Sequence, residues 1–157
     1  KKDLQGRPRF PKSVLPVVIH EFNHSFCNPL VYANAERLKE AGQTLYAKRE
    51  KQMRRQAYTS WQTMMHESLV RACVVRYLAR HADPLAEKKE ILTQHLLGFT
   101  WTGELAALLS QYEQQRELYP TLADFMPRIV EFFNAQAARM KPPDKSRPSG
   151  ILSDAPF

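Results

Sequence analysis

The sequence predicts an all-α fold, a single domain of about six helices. Apolar residues recur every three or four positions through most of the chain, as they do on amphipathic helices. Capping residues and proline or glycine breaks divide this pattern into six segments. The length of 157 residues suffices for one core and not for two. We expect a basic N-terminal tail at 1–12, a helical domain at 13–140 and a C-terminal tail at 141–157.

The composition excludes several classes of protein. Hydrophobic residues make up 43% and charged residues 25%, which is typical of a folded globular chain and not of a disordered one. No apolar run approaches the roughly 20 residues of a membrane helix, so we expect no membrane span. The net charge of +7 comes mainly from 1–12, 34–55 and 139–157, which we interpret as solvated tails and one solvated helix face.

The first predicted helix carries His20 and His24. Ser13 is expected to cap it, and Pro16 is tolerated because it falls in the first turn. The helix is predicted to run to about Phe26 and to end at Asn28-Pro29. Its apolar residues are expected to bury it.

Five further helices are predicted from periodicity and caps. Asn34 is expected to cap a long charged helix at about 35–55, which Gly42 weakens locally. The most apolar pattern, from Tyr58 to Arg80, is expected to form a central helix. The remaining helices are predicted at Leu85–Leu97, Glu104–Leu118 and Leu122–Arg139. Thr121 is expected to cap the last of them, and Asp124 to support its first turn. Pro127 is expected in the first two turns of that helix or at a kink.

One motif in the sequence carries chemistry. His20-Glu21-Phe22-Asn23-His24 has the form H-E-x-x-H on a predicted helix, and a spacing of four puts both imidazoles on one face. Two such imidazoles can bind one zinc ion, which lowers the pKa of a bound water to about 7. Glu21, beside the first histidine, is then the expected general base. The alternative is two core histidines with other hydrogen-bond partners.

A catalytic zinc site usually has three protein ligands, so a third must come from elsewhere in the chain. No histidine follows at the metzincin spacing. Glu67 is the leading candidate, because a carboxylate in the most buried helix needs a metal or a cation to compensate it. Arg71, one turn later, supplies the alternative of a structural ion pair. His66 is a competing ligand, but it points about 100° away from Glu67.

These residues resemble a bacterial family described as a domain of unknown function with a zincin signature. The resemblance is carried by the His20–Phe26 motif with Asn28-Pro29-Leu30, by Ala57–Trp61 leading to Glu67–Ala72, by Gly98–Trp101 and by the stretch from Tyr112 to Phe133. It covers most of 14–135. In the wider gluzincin group a glutamate from a following helix completes the metal site. The resemblance therefore implies zinc held by His20, His24 and Glu67, Glu21 as general base, and hydrolysis of peptide bonds.

Zincins generally place a β-sheet before the active-site helix, and no such sheet is predicted here. Only about a dozen residues precede Ser13. Since the sequence starts at Lys1 without a methionine, we expect it to be a piece of a longer product. The sheet would then lie in that longer product, or this is a helical remnant without one. The start of the chain and the bacterial resemblance favour an exported protein.

Hydrolysis of an amide also needs a donor for the developing oxyanion. Tyr58 and Arg71 are the preferred candidates, and His81 and His95 are also available. Two aromatic residues between the fourth and fifth helices, Phe99 and Trp101, either line a substrate pocket or plug the core.

The two cysteines, Cys27 and Cys73, follow His24 by three residues and Glu67 by six. They could therefore approach one another near the site. A disulfide and two buried free thiols are both compatible with the sequence.

The sequence thus predicts a zinc-dependent metallohydrolase acting on a peptide or protein. The alternative is a helical binding module whose metal site is structural or vestigial and whose basic second helix contacts an acidic partner. A fourth protein ligand, such as His66 or Cys27, would favour that alternative. Nucleic-acid binding through Lys48–Arg55 is not expected, because the chain has no phosphate-binding loop and no zinc-finger or RNA-binding signature.

Overall fold

Six helices make up the fold in the computed structural model, which describes residues 5–6 and 14–141. They are α1 Leu15–Ala33, α2 Ala35–Arg55, α3 Trp61–His81, α4 Pro84–Leu96, α5 Thr102–Gln114 and α6 Leu122–Met140. No strand occurs in this part of the chain, so the predicted all-α class is confirmed. None of these helices combines the length and the apolar character needed to cross a bilayer. The N-terminal tail, the Ser13 cap and the C-terminal tail beyond residue 141 lie outside the described residues.

Helix α3 is the central element, as its apolar pattern predicts. It packs against α1, α2, α4 and α5, while α6 lies mainly on α2. The helix begins at Trp61, where Ser60 accepts a hydrogen bond from the backbone N–H of Thr63. Tyr58, predicted to open this helix, instead lies in the connection after α2, where its carbonyl accepts from the Tyr46 hydroxyl.

Helix α1 is longer than predicted, because it continues through Pro29 to Ala33. The ring of Pro29 faces solvent, so the proline costs one backbone hydrogen bond without displacing a neighbouring helix. Asn34 lies between α1 and α2 as expected. Its side chain makes no cap for α2 and donates instead to the carbonyl of Leu30, 2.9 Å away. The prediction that Asn28-Pro29 ends the helix is therefore wrong.

The burial expected for α1 is also only partly observed. Its inner face, with Cys27 and Val31, is buried against α3. The outer face is apolar but open to solvent, and Phe22 and Phe26 are 65% and 58% exposed. The reason is that α1 packs mainly on one neighbour, so the described chain covers a single side of it.

Two glycines allow close approaches around the core. Gly42, expected only to weaken α2, lies against Trp61, and a Cβ there would come within 2.4 Å of the ring. Gly98 has φ +102° and turns the chain after α4 into a link that buries Phe99 and Trp101. These two aromatics therefore plug the core instead of lining an open pocket.

Side chains cap the starts of α4 and α6, and the Thr121 cap is the predicted one. Asp83 caps α4 by accepting from the N–H of Leu85. Thr121 and Asp124 form a reciprocal capping box at the start of α6. Pro127 falls in the second turn of that helix, one of the two positions expected for it. Helix α5 ends at Gln114, four residues earlier than predicted.

Candidate metal site

The three predicted ligands converge where α1 crosses α3. His20 and His24 lie one turn apart on the inner side of α1, and Glu67 faces them from the buried part of α3. The two Nε2 atoms are 3.2 Å apart. His20 Nε2 is 3.4 Å from Oε2 of Glu67, and His24 Nε2 is 3.4 Å from Oε1. Among the described residues, this is the group of three side chains whose donor atoms lie close enough to share a metal ion.

These spacings match those of a tetrahedral zinc site. With metal–ligand bonds of 2.0–2.1 Å, two ligands of a tetrahedron are about 3.3–3.4 Å apart. The distances of 3.2 Å and 3.4 Å in the cluster are close to that value. Two imidazoles and one carboxylate are also a known ligand set for a catalytic zinc. The residues present therefore fit the ion in both spacing and chemistry.

Asn28 determines which nitrogen of His24 faces the cluster. Its Oδ1 lies 3.1 Å from Nδ1 of His24, and since Oδ1 only accepts, Nδ1 carries the proton. Nε2 of the neutral ring is then an acceptor pointing at Glu67, another acceptor. A cation between the two, or a second proton on the ring, removes the repulsion. Metal-binding histidines characteristically donate their other N–H to such an oxygen.

Glu67 is held as a carboxylate by its surroundings. It is only 6% exposed, and Arg71 Nη2 lies 2.9 Å from its Oε2. Burial raises the pKa of Glu67, but the hydrogen bond from His20 and the charge of Arg71 outweigh burial and lower that pKa from 4.5 to about 2. Glu67 is therefore ionised at neutral pH and available to a cation.

The expected general base, Glu21, is the residue after His20 on α1. Its side chain is exposed to solvent. None of the described residues forms a hydrogen bond or an ion pair with its carboxylate. A cleft of about 420 Å³ opens next to His20 and is bordered by Pro16, Val17, Arg71 and Gln94. His20 is thus reachable from solvent through this cleft.

The sequence of the chain matches one known family. The family described as a domain of unknown function, DUF4932, matches over residues 11–132. The chain belongs to the DUF4932 family. No curated protein matches it, and no solved structure does. The matched range of this DUF4932 chain includes all three candidate ligands and Glu21.

Arg71 joins the candidate metal site of the DUF4932 chain to the core. Its Nη2 donates to the Tyr58 hydroxyl at 2.9 Å, and its Nη1 donates to Oε1 of Gln94. The guanidinium also lies over the Phe99 ring, 4.4 Å from the ring centre. Arg71 thus binds both Glu67 and Tyr58. The predicted role of Arg71 and Tyr58 as oxyanion donors stays a prediction, and the contacts seen are those of residues that position the carboxylate.

Sequence reasoning missed two residues of this network. Asn28 was interpreted only as the end of a helix, although its spacing of four from His24 places both on one helix face. Gln94, which is buried and bonds both Arg71 and Glu90, comes from α4. No local signal identifies it, because the contact depends on how α4 packs against α3.

The other candidate residues lie outside the cluster. His66 stacks on Tyr32 with ring centres 6.3 Å apart, and His81 lies against Tyr77. His95 is exposed near the end of α4. Cys27 is turned toward Cys73, with 3.7 Å between the two sulfur atoms. Neither proposed fourth ligand, His66 or Cys27, belongs to the donor group of the DUF4932 chain.

Proposed function

We propose that the chain is a zinc-dependent metallohydrolase and that its substrate is a peptide or protein. The convergence of His20, His24 and Glu67 supports this proposal most directly. Three possible ligand atoms lie 3.2–3.4 Å from one another, and Asn28 directs the Nε2 of His24 toward the other two. A divalent cation satisfies all three groups at once.

The proposed chemistry assigns a task to each residue. Bound zinc supplies a Lewis acid that activates water and polarises the substrate carbonyl. Glu21, whose carboxylate is exposed and unpaired among the described residues, accepts the proton of the attacking water and returns it to the leaving amine. Arg71 and Tyr58 keep Glu67 ionised and in place, and they are the candidates for stabilising the oxyanion.

The coordination number favours a hydrolase over a structural metal site. The described residues supply three donors, which leaves the fourth tetrahedral position for water or substrate. A structural site normally has four protein ligands. The rival proposal, a helical binding module with a structural or vestigial site, requires a fourth ligand such as His66 or Cys27, and both side chains have other neighbours.

Metal content tests the site first. The purified chain is dialysed against a trace of zinc, and the bound metal is measured by elemental analysis. We expect one zinc per chain, retention of that zinc in Glu21→Gln, and its loss in His24→Ala and Glu67→Ala. His95→Ala is the matched control, because His95 lies outside the cluster. Unchanged metal content in His24→Ala would remove the site from consideration.

Hydrolysis is tested separately, by incubating the zinc-loaded chain with a mixture of peptides and detecting new termini by mass spectrometry. We expect Glu21→Gln to lower turnover by at least about 100-fold while zinc stays bound. Glu117→Gln, an exposed acid far along the chain, serves as the control and should cleave normally. Equal cleavage by Glu21→Gln and the unaltered chain would show that Glu21 is not the base. Zinc binding without any cleavage would favour the structural alternative.

A further inference from the structure

Two cysteines face each other in the contact between the helices that carry the candidate ligands. Cys27 follows His24 by one turn on α1, and Cys73 lies further along α3 than Glu67. Their sulfur atoms are 3.7 Å apart, although the residues are separated by 46 positions in the chain. Neither cysteine has a part in the proposed hydrolysis.

We propose that Cys27 and Cys73 form a reversible redox site, a dithiol that oxidises to a disulfide joining α1 to α3. A disulfide has a sulfur–sulfur bond of about 2.05 Å, so the two atoms must approach by about 1.7 Å. Side-chain rotation and a small shift of two packed helices can supply this movement. In the structure both cysteines are free and their sulfur atoms are in contact.

The two thiols differ in access, which assigns them different parts in the reaction. Cys73 is partly exposed and borders a cleft of about 410 Å³ on the side of α1 that carries Phe22. Cys27 is only 1% exposed. A small disulfide in solution therefore reaches Cys73 first, and Cys27 acts as the resolving thiol.

The oxidation balances with a low-molecular-weight disulfide such as oxidised glutathione. The Cys73 thiolate attacks one sulfur of glutathione disulfide, which forms a mixed disulfide and releases one glutathione thiolate. The Cys27 thiolate then attacks the Cys73 sulfur, and the second glutathione leaves. The protein loses two electrons and two protons, and the glutathione disulfide gains them as two thiols.

The surroundings of Cys73 disfavour its thiolate, which lowers the rate of exchange. The hydrogen bond with Cys27 and burial both raise the pKa of Cys73. Only a small fraction of Cys73 is then thiolate at neutral pH. Thiol–disulfide exchange at Cys73 is therefore slow, and the disulfide forms only when oxidising conditions persist.

The disulfide would have a structural effect that can be measured. It would close a large loop of the unfolded chain and fasten α1 to the helix that carries Glu67. A crosslink over a loop of this size predicts a rise in Tm of about 5–15 °C for a chain of this length.

The experiment uses the metal-free chain in a chelator, so that its outcome is independent of zinc and of hydrolysis. The folded chain is incubated with oxidised glutathione, and free thiols, intact mass and Tm are followed. We expect a loss of two thiols, a mass lower by about 2 Da, and the rise in Tm, all reversed by a reducing dithiol.

Two variants separate the roles of the thiols. Cys27→Ser, which keeps the accessible cysteine, should stop at a glutathione adduct on Cys73. Cys73→Ser should remain unmodified while folded, because Cys27 is covered. Persistence of both thiols in the folded unaltered chain, under conditions that oxidise the urea-unfolded chain, would overturn the proposal. So would a glutathione adduct on the unaltered chain that never resolves to the internal disulfide.

Discussion

Asn28 shows how much of the site depends on a residue that does not face the metal position. Its oxygen accepts from Nδ1 of His24 and so leaves the Nε2 lone pair for the cluster. Without this partner the ring can adopt the other tautomer or rotate away. The same helix turn that supplies the second imidazole thus also fixes its tautomer.

Replacing Asn28 with alanine should weaken zinc binding by about 10-fold or more while leaving the fold intact. The reason is that partners of metal-binding histidines typically contribute 10–100-fold to metal affinity. Competition with a coloured zinc chelator at pH 7 measures the change. Asn134→Ala, an exposed asparagine on α6, is the control. Equal affinities of the two variants would show that Asn28 does not orient His24.

At this scale the sequence predicts ligands better than their neighbours. His20 and His24 follow from a spacing of four on one helix, and Glu67 follows from the cost of a carboxylate in an apolar helix. The hydrogen bond between Arg71 and Gln94 cannot be predicted from the sequence, because it depends on how α4 packs on α3.

The helices themselves were largely predictable, and the exceptions have physical reasons. Thr121 and Asp124 are a local signal that marks a true helix start, whereas the Ser60 cap of α3 was missed and the helix was predicted to begin at Tyr58. Asn28-Pro29 was predicted to end α1, but the proline removes only one backbone hydrogen bond and the helix continues past it. Its exposed position lets α1 continue. The outward apolar face of α1 was interpreted as buried, since periodicity shows which residues share a face and not what covers them.

Gly42 carries a prediction about the contact between α2 and α3. In Gly42→Ala the new Cβ would lie 2.4 Å from the Trp61 ring, so α3 must shift at its first residue. Overpacking of this kind costs about 1–3 kcal/mol, partly offset by the better helix propensity of alanine. We expect a net loss of about 1–2 kcal/mol in the free energy of unfolding, measured with urea.

Gly103→Ala, on α5, is the matched control for Gly42→Ala. Its Cβ would meet only the Ile91 side chain, at 3.2 Å, which needs an adjustment of a few tenths of an ångström. The expected cost is smaller than that of Gly42→Ala. If Gly42→Ala is as stable as the unaltered chain, there is room for a methyl group between Gly42 and the Trp61 ring.

For the whole molecule, the candidate site joins two elements that are far apart in sequence. His20 and His24 come from α1 and Glu67 from α3, so a bound ion would hold these helices together. Metal affinity and fold stability should therefore be coupled, since the unfolded chain has no preformed site.

Zinc at about 100 times its Kd should accordingly raise the Tm of the chain by about 5–10 °C, and a chelator should reverse the rise. Differential scanning calorimetry measures both steps. The same addition should leave the Tm of His24→Ala almost unchanged, because that variant lacks one of the three donors. An equal rise in both proteins would indicate that zinc binds elsewhere.

The one-sided packing of α1 bears on how this region moves. A helix supported mainly by one neighbour is expected to detach briefly without unfolding the rest, so its amide protons should exchange with solvent deuterium faster than those of α3. Whatever binds between His20, His24 and Glu67 would suppress that local opening. Protection of the α1 amides would then report on occupancy of the site even when no reaction is known.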